Sequence, residues 1–234
     1  MAQHTDREYE QELERLRERI LLMGAKVETM VATSVRAFDQ QDCALAKRTI
    51  EFDHEINRLE VEVDGFCLSI LARRQPVASD LRFITTALKL VTDLERIGDL
   101  AVNICERVLD LASDPPRHPW PDILQMAETV QGMVRDALDA FVAADAAKAQ
   151  WVIERDRSVD ANYVQIFHQT LLVMMEDRSA IQRGMGVQSI AKYLERIGDH
   201  ATNLAEMVFF SVTGQQLGDR PKTDNTATIA PEND

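Results

Sequence analysis

A chain of 234 residues, 45% of them hydrophobic, is long enough to bury a sizeable core. Aromatic residues make up only 6%, and glycine and proline are few, so the abundant Leu, Ala, Glu, Arg and Val predict an all-α protein. A net charge of −13 without a basic stripe excludes nucleic acid as a partner, because a phosphate backbone is gripped by clustered lysine and arginine.

The N-terminal stretch carries Asp6, Arg7, Glu8, Glu10, Glu12 and Glu14. It has no apolar leader, and no later run approaches the roughly 18 apolar residues of a membrane span. Work at a membrane is therefore expected to pass through protein partners. Cys43, Cys67 and Cys105 are widely separated, without C-x-x-C spacing, which fits a reduced, cytoplasmic setting.

In chain order, Tyr9, Leu13, Leu16, Ile20, Met23, Val27 and Met30 alternate steps of four and three, the spacing of a bundle helix over roughly 7–38. Asp42 is the expected N-cap of the second helix. That helix carries Phe52, Ile56, Leu59, Val63, Phe66 and Ile70 and ends before Pro76, whose ring disfavours helix in the preceding residue. Ser79 is expected to cap the third helix, with Leu81, Ile84, Leu88, Val91, Ile104, Val108 and Leu111 on its stripe. Four of the seven prolines then fall within 113–121, which marks a linker.

Ile123, Ala127, Val130, Val134, Ala137 and Phe141 predict a fourth helix, and Val152, Val159, Tyr163, Ile166, Thr170 and Val173 a fifth. After a break at 176–179, a sixth carries Val187, Ile190, Leu194, Ile197, Ala201, Leu204 and Val208 before Gly214. Residues 215–234 are polar and aperiodic and read as a disordered tail. The expected architecture is two tandem three-helix antiparallel bundles, 7–112 and 122–214.

One hexapeptide organises this plan. Leu94, Glu95, Arg96, Ile97, Gly98 and Asp99 return as Leu194, Glu195, Arg196, Ile197, Gly198 and Asp199, and Asn103 returns as Asn203. On a helix these Glu, Asp and Asn positions line one face. The preceding helices contribute a second row, Asp53 and Asn57 in the first half and Asp156 and Asp160 in the second. Asp53 and Asp99, like Asn57 and Glu95, are equidistant from Pro76. Asp156 with Asp199, and Asp160 with Glu195, are equidistant from the turn at Asp177 and Arg178. In antiparallel hairpins, residues equidistant from the turn lie at one level, on helix axes about 8–10 Å apart.

Like charges spaced i, i+4 cost about 0.2–0.5 kcal/mol per pair, and partly buried carboxylates facing others either bind protons or need a cation. A metal ion resolves the conflict, and all-oxygen donors favour Mg²⁺, Mn²⁺ or iron. The plainer alternative is a solvated acidic face neutralised by Arg96 and Arg196. A single E-x-x-x-D would favour it, whereas the doubling inside two matched hairpins favours metal. Asn103 and Asn203 are additional candidate ligands.

Weaker signals surround this one. His54 and His200 adjoin ligand positions but point about 100° away on their helices, as surface histidines do. Arg73, Arg74 and Arg82 around the Pro76 turn form a candidate contact for phosphate or an acidic partner, with helix-end charges complementing the dipole as the alternative. Cys67 and Cys105 sit on apolar stripes as core residues. A carboxylate-bridged di-metal redox enzyme would ordinarily show an E-x-x-H motif on each of two helices, whereas the chain has a single one, Glu51 to His54, and none in its second half. A metal-free helical adaptor is the other competing class.

The turn spelled by Arg73, Arg74, Gln75, Pro76, Val77, Ala78, Ser79, Asp80, Leu81 and Arg82, together with the doubled hexapeptide, closely resembles the PhoU family of regulators of bacterial phosphate-specific transport. The resemblance covers about 13–214 and implies two tandem three-helix bundles with metal clusters at paired E(D)-x-x-x-D motifs. Carried over, the pairs are Asp53/Asn57 with Glu95/Asp99 and Asp156/Asp160 with Glu195/Asp199; Asn57 departs from the acidic pattern. It also implies a non-enzymatic homodimer that couples a phosphate ABC transporter to a sensor histidine kinase and holds the phosphate-starvation response off.

Overall fold

Heptad spacing becomes six long helices in the computed structural model, which describes residues 2–113 and 120–215, with side chains from residue 7 onward. They are α1 (Ala2–Gln40), α2 (Cys43–Arg74), α3 (Ala78–Asp110), α4 (Pro121–Ala143), α5 (Ala146–Glu176) and α6 (Ile181–Thr213), with a short 3₁₀ turn, Arg178–Ala180, before α6. Among the described residues there is no strand. Most of the expected linker and tail, 114–119 and 216–234, lies outside the described residues.

The two halves turn their first corner in the same way. Asp42 caps α2 by accepting a hydrogen bond from the Leu45 amide at 2.8 Å, as expected, and Asp145 caps α5 through the Lys148 amide at 3.0 Å. Gln41 (φ 54°) and Ala144 (φ 49°) adopt the left-handed conformation just before these caps. The Asp42 and Asp145 amides then reach back to the carbonyls of Ala37 and Ala140, at 3.0 and 2.9 Å. Each helix thus ends in a Schellman-type turn at a non-glycine residue, at a cost of roughly 1–2 kcal/mol for the left-handed backbone.

The second corner departs from expectation. Val77, not Ser79, is the N-cap of α3, and Ser79 lies within the first turn, its hydroxyl donating to Asp80 at 3.3 Å. The extended Val77 starts the helix directly after Pro76, and acidic Asp80 complements the positive helix end. In the second half the Asp177 carboxylate accepts from the Ser179 amide at 2.8 Å and opens the 3₁₀ turn.

The core is continuous across both halves. Leu16, Ile20, Met23 and Val27 of α1, Ile56, Val63 and Ile70 of α2, and Ile84, Val91 and Leu94 of α3 are fully buried, as are Val130, Val152, Val159, Val187 and Ile190 in the second half. Leu81, expected on the stripe of α3, is exposed instead. Helix α3 packs on α6 and α1 on α4, whereas α2 and α5 flank the body. Phe83 stacks on Phe141 across the halves, centroids 5.3 Å apart. Gly24 lets α1 lie close against α4, because a Cβ there would collide with the Leu138 side chain. No described helix is long and apolar enough to cross a membrane.

Candidate metal centres

The two hairpins bring carboxylates of the paired rows within electrostatic reach of one another. In the first half, Asp53 of α2 and Glu95 and Asp99 of α3 act on one another: burial raises the Asp53 and Glu95 carboxyls above their usual range, and the Asp99 charge raises both further. Asn57 donates to Asp53 Oδ2 at 2.9 Å, which opposes the rise. The other oxygens of this pair, Asp53 Oδ1 and Asn57 Oδ1, are buried without a hydrogen-bond partner in the protein. Gly98 keeps the space beside them open, since a Cβ there would lie 3.5 Å from Asp53 Oδ1. Arg96 pairs with Glu95 at 3.5 Å and with Asp99 at 3.3 Å from a largely exposed position.

The α2 row is longer than the sequence pattern suggested. Glu60 and Asp64 extend the face of Asp53 and Asn57 by i+7 and i+11. Burial raises both carboxyls, and the Asp64 and Asp99 charges push Glu60 up further. The second half has no counterpart of this extension, because Tyr163 stands at the position equivalent to Glu60 and Phe167 at that of Asp64. Their helical spacing is legible in the sequence, but nothing in the second half repeats it.

In the second half, Asp156 and Asp160 of α5 face Glu195 and Asp199 of α6. Desolvation by the surrounding helices, then the charges of Glu195, Asp156 and Asp160, raise Asp199 to about 6, against the opposing charge of Lys192. Solvent still reaches Asp199. Glu195 is 7% exposed, and the Lys192 ammonium lies 2.7 Å from both of its oxygens. The same ammonium sits 5.2 Å from the centre of the Tyr163 ring. Gly198 lets α5 approach, with Val159 3.2 Å from where a Cβ would stand.

The donor set fits a hard cation by chemistry: carboxylate and amide oxygens only, three of them (Asp53 Oδ1, Asn57 Oδ1 and Glu195 Oε2) buried without a hydrogen-bond partner, beside acids held above their normal range. Among the described residues, however, no three His, Cys, Asp or Glu side chains stand in ligating positions as they lie. Glu195 is held by Lys192, Glu95 and Asp99 by Arg96, and Asp53 by Asn57. Ligation therefore requires side chains to leave these partners. Asn103 is half-buried and Asn203 exposed.

The remaining candidates find other roles. Arg74 donates to Glu12 at 2.9 Å and lies 3.5 Å from Glu8, and Arg73 pairs with Glu12 at 3.2 Å, so both fasten α1 to the Pro76 turn. Arg82 is half-buried, its Nε without a partner. Burial pushes the Cys67 and Cys105 thiols up to about 12, consistent with core residues. His54 is exposed. His200 is not the surface residue expected: its Nδ1 lies 2.7 Å from Asp93 Oδ1, with each side chain 19% exposed, and the pair ties α6 to α3.

The repeat and its rows have counterparts in known proteins. The model of the PhoU domain matches this chain twice, over residues 20–108 and 123–208, one match per carboxylate hairpin. The phosphate-specific transport system accessory protein PhoU homolog of Pseudomonas putida is 41% identical over 219 residues, covering 93% of this chain and 85% of its own. The accessory protein PhoU of Escherichia coli (strain K12) is 36% identical over 217 residues, covering 93% of this chain and 90% of its own. The crystal structure of PhoU from Pseudomonas aeruginosa superposes with a TM-score of 0.85 at 41% identity, covering 88% of this chain and all of that one. The phosphate transport system regulatory protein PhoU from Streptococcus pneumoniae gives 0.83 at 28% identity, covering 89% and 99%. With sequence, repeat and fold agreeing over nearly its whole described length, the chain belongs to the PhoU family.

Proposed function

We propose that this protein is a non-enzymatic cytoplasmic regulator of phosphate uptake, acting as a homodimer between a phosphate ABC transporter and a sensor histidine kinase to repress the starvation response when phosphate is plentiful. The observation that carries this reading is the 41% identity over 93% of the chain with a phosphate transport accessory protein. The molecule suits such a role: its helices present long docking faces, and its acidic surface complements basic protein patches.

In the same proposal, divalent or iron ions (Mg²⁺, Mn²⁺ or Fe) bind at the two hairpins. Asp53, Asn57, Glu95 and Asp99 would hold one centre and Asp156, Asp160, Glu195 and Asp199 the other. A bound cation supplies the positive charge that the crowded rows lack, tying α2 to α3 and α5 to α6. Deletion of the gene is expected to raise expression of a phosphate-starvation reporter in high phosphate, with restoration by the wild-type gene and weaker restoration by Glu95→Gln plus Glu195→Gln. Unchanged reporter expression after deletion would sink the regulatory reading.

A further inference from the structure

We propose that Lys192 is a built-in competitor of the cation at the second centre, so that a divalent ion reaches Glu195 only by displacing the Lys192 ammonium. This rests on the metal reading above. Glu195 is the most deeply buried carboxylate of either row, at 7% exposed, and Lys192 Nζ lies 2.7 Å from both of its oxygens. A charge-assisted contact to a desolvated carboxylate is stronger than a surface ion pair.

The ammonium is also positioned from its other side. It stands 5.2 Å from the Tyr163 ring centre, within cation–π range, and so is tethered by α5 while it holds a carboxylate of α6. Lys192 precedes Glu195 by three residues on one helix, a spacing that lets the two side chains meet. Its aliphatic stem reaches the pair from a partly exposed position, 47% of the side chain being accessible. An outward swing into water is therefore open to it.

The first centre lacks this device. The residue at the equivalent of Lys192 is Thr92, whose hydroxyl donates to the Leu88 carbonyl at 3.2 Å, and the equivalent of Tyr163 is Glu60. The neighbouring cation there, Arg96, is 59% exposed and stands 3.5 and 3.3 Å from Glu95 and Asp99. One hairpin thus trades an acidic ligand for Asn57 and gains Glu60. The other keeps four carboxylates and carries a resident ammonium. The two centres have unlike cation chemistry in one fold: an ammonium seated on a buried carboxylate marks the second, and a more exposed guanidinium at longer range marks the first.

The test titrates chelator-stripped, dialysed full-length protein with Mn²⁺, counting free ion by electron paramagnetic resonance. Wild type is compared with Lys192→Thr, which installs the residue of the first half, Lys192→Met, which keeps the stem, and Lys192→Arg. Lys192→Thr and Lys192→Met should tighten one class of site about tenfold, the scale of one charge-assisted hydrogen bond removed from the competition. Lys192→Arg should behave as wild type, and adding Glu195→Gln should abolish the gain. In thermal unfolding, Lys192→Met should lower the midpoint in chelator and lose less of it in Mn²⁺. Mn²⁺ binding by wild type with unchanged affinity in Lys192→Thr and Lys192→Met overturns this inference and leaves the metal reading standing. Absence of Mn²⁺ binding by every variant overturns both.

Discussion

Asp199 shows how one carboxyl registers the crowding around it. Its folded value of about 6 lies above the ordinary 3.8, so the folded state binds the proton more tightly than the unfolded chain. Its stabilising contribution is then complete below 3.8 and is lost as pH rises through about 6. In chelated protein, Asp199→Asn should therefore raise stability at pH near neutrality by about 1 kcal/mol, a size discounted because solvent reaches the group. Near pH 4 the gain should vanish. Urea denaturation at both pH values checks this, and an equal gain at both would show that crowding is not the cause. The residues of this centre were legible because the hexapeptide repeats and pairs with the preceding helix by simple distance from the turn. Lys192 and Tyr163 were not, because their roles come from the approach of α5 to α6, and neither position repeats in the first half.

Among the elements, the helices were fixed by apolar spacing, and two of their four inner turns by recognisable chemistry. Asp42 announces its cap by composition alone. Ser79 misled because the proline turn starts α3 earlier, through an extended Val77 and a left-handed Ala78 (φ 48°). The packing of α1 against that turn was outside the reach of periodicity, since Glu12 lies on the charged N-terminal stretch and only the fold delivers Arg73 and Arg74 to it. Arg74 holds the Glu12 carboxyl below its usual range against the opposing effect of burial. That contribution is present above 4.5, the ordinary value, and is lost as pH falls through the lowered one. Glu12→Gln should cost roughly 1.5–3 kcal/mol, the range of a charge-assisted hydrogen bond. Glu14→Gln provides the contrast, because its pair with Arg17 is exposed at 3.4 Å and should contribute less than about 0.5 kcal/mol. Equal losses for the two variants in chemical denaturation would remove the fastening role of Glu12.

For the molecule as a whole, the two halves share a plan but not a surface. Between Asp160 and Glu176 the chain has no Asp, Glu, Lys or Arg, although charged residues make up 28% of the whole. On α5 this stretch exposes Val164, Phe167, Leu171, Leu172 and Met175, the last at 73%; the i, i+3, i+7, i+11 spacing of four of them makes a single stripe. The equivalent face of α2 exposes Val61 and Leu68 but is broken by Glu60, Glu62 and Asp64. Two copies each carrying a charge of −13 repel wherever acidic faces meet, and this repulsion is least along an uncharged stripe. Methionine adapts to an irregular mate, and pairing the stripe with itself is the self-complementary arrangement of a two-fold dimer. The homodimer is therefore predicted to form through α5. Light scattering should give twice the single-chain mass for wild type and the single-chain mass for Leu171→Glu plus Met175→Glu, with helical content unchanged by circular dichroism. Val61→Glu plus Leu68→Glu on α2 should leave the dimer intact. A wild-type monomer, or a dimer indifferent to the α5 charges, would place self-association elsewhere or nowhere, and the stripe would then belong to a different partner.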